Sequence, residues 1–271
     1  MPAAIEELLD LARSIALEAG ELVRTRREEG VEVAATKTAP EDIVTAADRE
    51  SEDLIRARLT AARPGDGFFG EESEATATSS GLTWIVDPID GTVNYLYGIP
   101  AYAVSIAVVE GDPDPNTWRA LASAVVNPAS GDVFTASAGG GAYLGRQRLQ
   151  VPTGKQLSLA LVGTGFSYDS RRRGLQAEAV SKLIPRVRDI RRIGSAALDL
   201  CSVAAGRLDA YYEKGLKPWD HAGGALVATE AGAKVAGLHG VPASRALTIA
   251  AEPGLWAQLE PVLDELGVVD R

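Results

Sequence analysis

Trp84-Ile85-Val86-Asp87-Pro88-Ile89-Asp90-Gly91-Thr92-Val93-Asn94 is the stretch on which the reading of this chain turns. An apolar run, Trp84 to Val86, breaks into two aspartates around a proline, and the run predicts a strand. Pro88 has no N–H and fixes its own φ, so the strand is expected to stop there. Two carboxylates three positions apart at a strand end can converge on one point. Gly91 and Thr92 then offer backbone N–H groups, and a helix starting there aims its positive end at an anion. Carboxylates beside an anion cradle repel the anion unless a cation sits between them.

Ligand type selects the cation. His221 and His239 are the only histidines and Cys201 the only cysteine, so zinc is poorly supplied. Carboxylate and carbonyl oxygens suit magnesium, manganese or calcium, and the spacing is not that of an EF-hand loop. Magnesium keeps waters and bridges carboxylates to phosphate oxygens, and it fits best.

Two further acidic stretches stand on either side. One is Phe68-Phe69-Gly70-Glu71-Glu72-Ser73, the other Pro218-Trp219-Asp220-His221-Ala222-Gly223-Gly224. Each alone has an ordinary explanation. Asp-Pro-x-Asp-Gly is a common solvated turn, Glu71-Glu72 an exposed loop, and Asp220 a helix N-cap. Their occurrence together is what points to a site.

Around these stretches the chain changes texture. Ile5, Leu8, Leu9, Ala12, Ile15, Ala19, Leu22 and Val23 recur in steps of three and four, which predicts an opening helix stopped near Gly30. A second helix is predicted from about Ala46 to Arg63. Short strands follow at Gly67–Gly70, Thr83–Val86, Ala103–Glu110, Ala120–Asn127 and Asp132–Ala136. This pattern predicts a largely antiparallel sheet with helices on one side.

After Gln150 the elements alternate. Strands are predicted at Leu161–Gly165, Ile190–Ile193, Asp209–Glu213, Lys234–Ala236 and Leu247–Ala250. Helices are predicted at Ser195–Ala205, Trp219–Ala231 and Pro253–Leu266, and Arg171–Arg173 reads as a solvated loop. The division is therefore expected at 1–150, an α+β part with most of the metal ligands, and 151–271, an α/β part with Asp220 and substrate contacts.

Composition narrows the function. The 271 residues are 46% apolar and 24% charged, ordinary for a soluble globular protein, and the formal charge is −10. A nucleic-acid footprint is usually basic, so nucleic acid is not expected as a partner. A single cysteine suits a reducing compartment. No apolar run reaches membrane-spanning length, so a cytoplasmic protein without a membrane partner is expected.

The three acidic motifs in this order, Gly-Glu-Glu-Ser, Asp-Pro-Ile-Asp-Gly-Thr-x-Asn and Trp-Asp-x-x-Gly-Gly, closely resemble those of the inositol monophosphatase family. Lys37 with Asp42-Ile43-Val44-Thr45-Ala46-Ala47-Asp48 resembles its N-terminal signature. Gly98-Ile99-Pro100 with Val104-Ser105-Ile106-Ala107, Gly194-Ser195-Ala196-Ala197 and Asp209-Ala210-Tyr211-Tyr212-Glu213 also match. The resemblance covers nearly the whole chain. Tyr95 departs from it, standing where the family often has Phe.

The resemblance implies a layered αβαβα sandwich, part α+β and part α/β, and magnesium-dependent hydrolysis of a small phosphorylated metabolite. Glu71, Asp87 and the carbonyl of Ile89 would hold a first magnesium. Asp87, Asp90 and Asp220 would hold a second, with a third, weaker ion near Glu71 and Glu72. Manganese could replace magnesium, and lithium could compete for the second position. Thr92, oriented by Asp48 and assisted by Glu71, would place the attacking water. Gly91 and Thr92 would bind phosphate through their N–H groups, and Asp90, Ala196, Glu213 and Asp220 the ring hydroxyls. A homodimer is implied as well.

Other enzyme classes lack support. There is no Gly-x-x-x-x-Gly-Lys-Ser/Thr loop, no Gly-x-Ser-x-Gly elbow, and Gly139-Gly140-Gly141 lacks dinucleotide-binding spacing and reads as a turn. His221 reads as an ordinary, partly buried histidine, and Arg191-Arg192 as a dimer or substrate contact. Within the family, Tyr211-Tyr212-Glu213 and the compact length favour inositol 1-phosphate. Histidinol phosphate, fructose 1,6-bisphosphate and adenosine 3′,5′-bisphosphate are the alternative substrates. A regulatory binding protein on the same fold is the alternative of another class.

Overall fold

The computed structural model describes residues 2–31, 33–36 and 43–269. Lys37 and Asp42 of the N-terminal signature lie outside the described residues. In chain order the elements are α1 (Pro2–Glu29), β1 (Val33–Thr36), β2 (Ile43–Thr45), α2 (Ala46–Ala62), β3 (Gly67–Gly70), β4 (Leu82–Asp90) and α3 (Thr92–Tyr97). Then come β5 (Ala103–Glu110), β6 (Arg119–Val126), β7 (Val133–Ser137), β8 (Gly141–Leu144), β9 (Gln147–Arg148), β10 (Leu161–Thr164) and α4 (Ser170–Leu183). The chain closes with β11 (Asp189–Arg191), α5 (Ala196–Ala204), β12 (Ala210–Glu213), α6 (Pro218–Glu230), β13 (Lys234–Ala236), β14 (Thr248–Ala251) and α7 (Pro253–Glu265).

Five layers result. Strands β3 to β9 lie in sequential order in one sheet, antiparallel throughout except for the parallel pair β3–β4. The second sheet runs β11-β10-β12-β14-β13, with β10 parallel to both its neighbours. α1 and α2 cover one face of the first sheet, α5 and α6 fill the space between the sheets, and α4 and α7 cover the far face of the second. The apolar stripe of α1 supplies Leu8, Ala12, Ile15, Ala16, Ala19 and Val23 to the first core. Tyr95 joins that core, and its hydroxyl donates to the Val23 carbonyl at 3.1 Å, a bond that Phe in its place would lack.

The first sheet is not covered on one side only, as its sequence suggested. Every residue from Ala103 to Val109 is buried, because α1 packs on one face and α6 on the other. A strand covered on both faces reads as a continuous apolar run, not an alternation. Small residues let α6 come close: a methyl group on Gly223 would fall 2.5 Å from Ser105 Oγ, and Ser123 Oγ donates to the Gly223 carbonyl at 3.1 Å.

Strand β4 also departs from expectation, running through Pro88 to Asp90. Its pairing with β3 ends at Val86, so on that side Pro88 needs no N–H. On the other side an irregularity between Asp87 and Asp90 absorbs the proline before Asp90 pairs with Ala103. Arg171–Arg173 stand in the first turn of α4 instead of a loop; the Asp169 carboxylate caps that helix by accepting from the Arg172 N–H at 2.7 Å. Gly139 and Gly140 form the expected turn, and Gly141 opens β8. Among the described residues no helix is long and apolar enough to cross a membrane.

Candidate active site

The end of β4, the start of α3 and the N-termini of α5 and α6 meet where the sequence placed its acidic motifs. Gly91, with φ +97°, turns the chain out of β4, and a methyl group there would lie 2.9 Å from the Ala101 carbonyl and 3.1 Å from that of Gly194. Asn94 fixes the same junction, its Nδ2 donating to the carbonyls of Ala101 at 2.8 Å and Ile193 at 2.9 Å. The loop between β3 and β4 is held from α2. Glu52, buried, accepts from the Glu72 N–H at 2.8 Å and from the Ser73 hydroxyl. A methyl group on Gly70 would overlap that carboxylate, so a side chain there would push away the group that holds Glu71 and Glu72 in place.

Each aspartate is oriented by a named donor. Asp87 Oδ1 accepts from the Ile89 N–H at 3.1 Å. Asp90 Oδ2 accepts from Ser195 Oγ and from the Ala197 N–H, both at 2.7 Å. Both bonds use one oxygen, which leaves the other to face a ligand. Asp220 Oδ2 accepts from the Lys217 N–H at 2.6 Å. Lys217 is the N-cap of α6 and Asp220 its third helical residue, so the carboxylate braces the first turn from inside the helix instead of standing as the N-cap that its sequence context suggested. Asp48 Oδ2 takes the Thr45 N–H at 2.8 Å and the Thr45 hydroxyl at 2.5 Å, and its Oδ1 lies 3.0 Å from Thr92 Oγ1. Thr92 Oγ1 also lies 3.0 Å from the Ile89 carbonyl, so its one proton chooses between two acceptors.

Burial raises Asp48, Asp90, Asp220 and Glu213, and repulsion from neighbouring carboxylates adds to the first three. Asp48 is pushed up to about 6, mainly by burial, with Glu72 and Glu71 adding to the effect against the Thr45 hydrogen bonds. Asp90 is pushed up to about 7 by burial, with Glu213 and Glu71 adding and Ser195 and Ala197 opposing. Asp220 stands well above its ordinary value through burial and then the charges of Glu71, Asp90 and Glu213. Glu213 is raised by burial, against the Tyr211 hydrogen bond and the Arg192 charge. Glu71, Asp90, Asp220 and Glu213 thus share one electrostatic neighbourhood, with Asp48 joined to it through Glu71.

The donor set is entirely oxygen, which fits a hard cation. Among the described residues no three His, Cys, Asp or Glu side chains close into a ready-made cage. Magnesium does not require one, since it takes one or two carboxylates and keeps several waters. His221 adds no ligand. It is buried against Trp118, with ring centroids 5.8 Å apart, and burial pushes its imidazole down to about 4. Arg191 pairs with Asp189 at 2.6 Å, whereas Arg192 acts on the charges of Glu213 and Asp199.

The sequence model of the inositol monophosphatase family matches residues 4–266. The chain belongs to that family. Among its relatives, inositol-1-monophosphatase SuhB of Mycobacterium tuberculosis is 46% identical over 273 aligned positions, covering 93% of this chain and 91% of the relative. The Nus factor SuhB of Xylella fastidiosa is 41% identical, covering 75% of this chain and 72% of its own. The solved structure of Mycobacterium tuberculosis SuhB superposes with a TM-score of 0.81 at 44% identity, covering 97% of this chain and 98% of the other. The layered sandwich described above is the architecture of this inositol monophosphatase family, and phosphatase activity on a phosphorylated small molecule is its general function.

Three contributors to the site escaped the reading of motifs. Ser195 stands in the Gly194-Ser195-Ala196-Ala197 match and opens the helix expected at Ser195–Ala205, without a role of its own; in the structure it caps α5, accepting from the Leu198 N–H at 3.4 Å, and also holds Asp90. Glu52 falls inside the helix expected from Ala46 to Arg63, where no sequence pattern gives it a role. Tyr211 was part of a matching segment with no role of its own.

Proposed function

We propose that this inositol monophosphatase relative hydrolyses inositol 1-phosphate to inositol and phosphate with magnesium. The Asp48–Thr92 contact carries the reading, because it sets a hydroxyl and its acceptor beside a cluster of mutually repelling carboxylates. Glu71, Asp87 and the Ile89 carbonyl would hold one ion, and Asp87, Asp90 and Asp220 another. Manganese suits the same oxygens. Bound magnesium supplies Lewis-acid polarisation of phosphoryl oxygens and acidifies a water.

The chain's own groups do the positioning. Ionised Asp48 accepts the Thr92 proton, which turns a lone pair of Thr92 Oγ1 toward the attacking water, and Glu71 assists. The water oxygen bonds to phosphorus as the ester P–O bond breaks, and the water's proton moves toward Thr92 and Asp48. The alcohol leaves with the electron pair of the broken bond and takes a proton from solvent. The Gly91 and Thr92 N–H groups bind the phosphate, and Asp90, Ala196, Glu213 and Asp220 the ring hydroxyls. No covalent phosphoenzyme is involved.

Phosphate release from inositol 1-phosphate, histidinol phosphate, fructose 1,6-bisphosphate and adenosine 3′,5′-bisphosphate, with and without magnesium, tests this reading. Magnesium-dependent release led by inositol 1-phosphate is expected; preference for another member reassigns the substrate. A cytoplasmic homodimer belongs to the same proposal, and a monomer mass by light scattering would count against it. The relatives named as Nus factors favour a second reading, a regulatory binding role on the same fold. No release from any of the four substrates, with magnesium still bound, would shift the balance to that role.

A further inference from the structure

Glu213 does not stand alone at the end of β12. Tyr211, two residues earlier and therefore on the same face of the strand, donates its hydroxyl to Glu213 Oε2 at 2.6 Å. The tyrosine is fully buried in the core between the sheets. Its cross-strand neighbours are Gly163 on β10 and Ala250 on β14, small residues that leave the ring its width. A methyl group on Gly163 would come within 3.2 Å of Tyr211 Cδ2, so the slot has little room to spare. Burial also holds the phenol well above its ordinary range, so it stays a donor wherever the enzyme works.

The floor under Glu213 is equally specific. A methyl group on Gly165 would overlap Oε2, Cδ and Oε1 of Glu213. The carboxyl therefore rests on the bare backbone at Gly165. Gly165 has no positive φ to demand glycine, so the reason for it is space alone.

We infer that Tyr211 and Gly165 are positioning residues for substrate selectivity: they hold Glu213 with Oε2 engaged by the protein and Oε1 presented to a substrate hydroxyl. Tyr211 fixes the carboxyl's direction, and Gly165 fixes its height above the sheet. Neither is among the residues proposed to bind the phosphate or hold the ions. They act on the choice of polyol esters over esters without hydroxyls, not on bond breaking. The inference rests on the reading of Glu213 as a substrate contact.

The test compares inositol 1-phosphate with 4-nitrophenyl phosphate, which has no ring hydroxyl, for Tyr211→Phe, Gly165→Ala and Glu213→Gln. The readout is the ratio of the two kcat/KM values, with KM and kcat separated. Tyr211→Phe is expected to lower the ratio about tenfold, through KM for inositol 1-phosphate, the range given by loss of one charge-assisted hydrogen bond. Gly165→Ala is expected to do the same; if it fails to fold, Tyr211→Phe still decides. A ratio unchanged in Tyr211→Phe but lowered in Glu213→Gln would overturn the inference and leave the substrate reading standing. A ratio unchanged in Glu213→Gln would overturn both.

Discussion

Replacing Asp90 by asparagine keeps the shape of the side chain and removes one charge. The amide oxygen can still accept from Ser195 Oγ and the Ala197 N–H, so the fold should hold. The proposed ligand charge is gone, and magnesium-dependent turnover should drop by about a hundredfold or more while the metal-free chain melts no lower than the parent. Near-native turnover would remove Asp90 from the metal assignment. Asp199 gives the opposite case. It is buried, its Oδ1 has no hydrogen-bond partner among the described residues, and burial with the charges of Glu213 and Asp90 holds it well above the ordinary carboxylate range, with Arg192 opposing. A group raised in the folded state gives up stability as pH climbs past its unfolded value. Asp199→Asn should therefore stabilise the chain by about 1 kcal/mol or more at neutral pH, with the gain vanishing near about pH 4. Urea unfolding at both pH values checks it, and a gain independent of pH would show that charge is not the cause.

Among the elements, α2 links scaffold to site. One turn of it carries Asp48 to Thr92, and the next carries Glu52 to the Glu71-Glu72-Ser73 loop. Glu52→Gln keeps the volume but removes the charge from two charge-assisted bonds: the Glu72 N–H keeps only a neutral acceptor, and the Ser73 hydroxyl must turn to accept from the amide. The expected cost is about 1–3 kcal/mol, with weaker magnesium dependence because Glu71 loses its support. Isothermal titration with magnesium, beside a denaturant melt, separates the two effects. Legibility from sequence followed the same division. α1 was readable, and so were the bunched aspartates of β4 though not where that strand ends, because the signals are local, a 3.6-residue apolar period and carboxylates around a proline. α4 was not: only Ala179 and Leu183 are buried along it, too few for a periodic stripe beside three arginines. Nor could any local pattern show Ser195 holding Asp90, a contact spanning 105 positions, or Glu52 gripping a loop from another element. Residue types at the site were legible; the groups that orient them depend on tertiary contacts.

For the whole molecule, the same acidic cluster links stability, pH and metal. Asp48, Asp90, Asp220 and Glu213 are all raised in the folded chain, Asp48 to about 6 and Asp90 to about 7. Folded protein then retains protons that unfolded protein releases. The stability this confers is complete below about pH 4, where unfolded carboxyls are also protonated, and is lost as pH rises through the folded values of about 6 to 7. Carboxyls held low by exposed ion pairs, such as Asp189 with Arg191, act below that window and with the opposite sign. A divalent cation competes with the retained protons and binds the folded state, so its stabilising effect should grow with pH. Thermal melts in EDTA should thus fall between about pH 5 and about pH 8, while the upward shift produced by magnesium widens over the same range. Asp90→Asn should blunt both trends, since it removes a raised carboxyl and a proposed ligand together. A magnesium shift of the same size at both pH values would mean that the ion binds away from this cluster, and the assignment of its ligands would have to be drawn again.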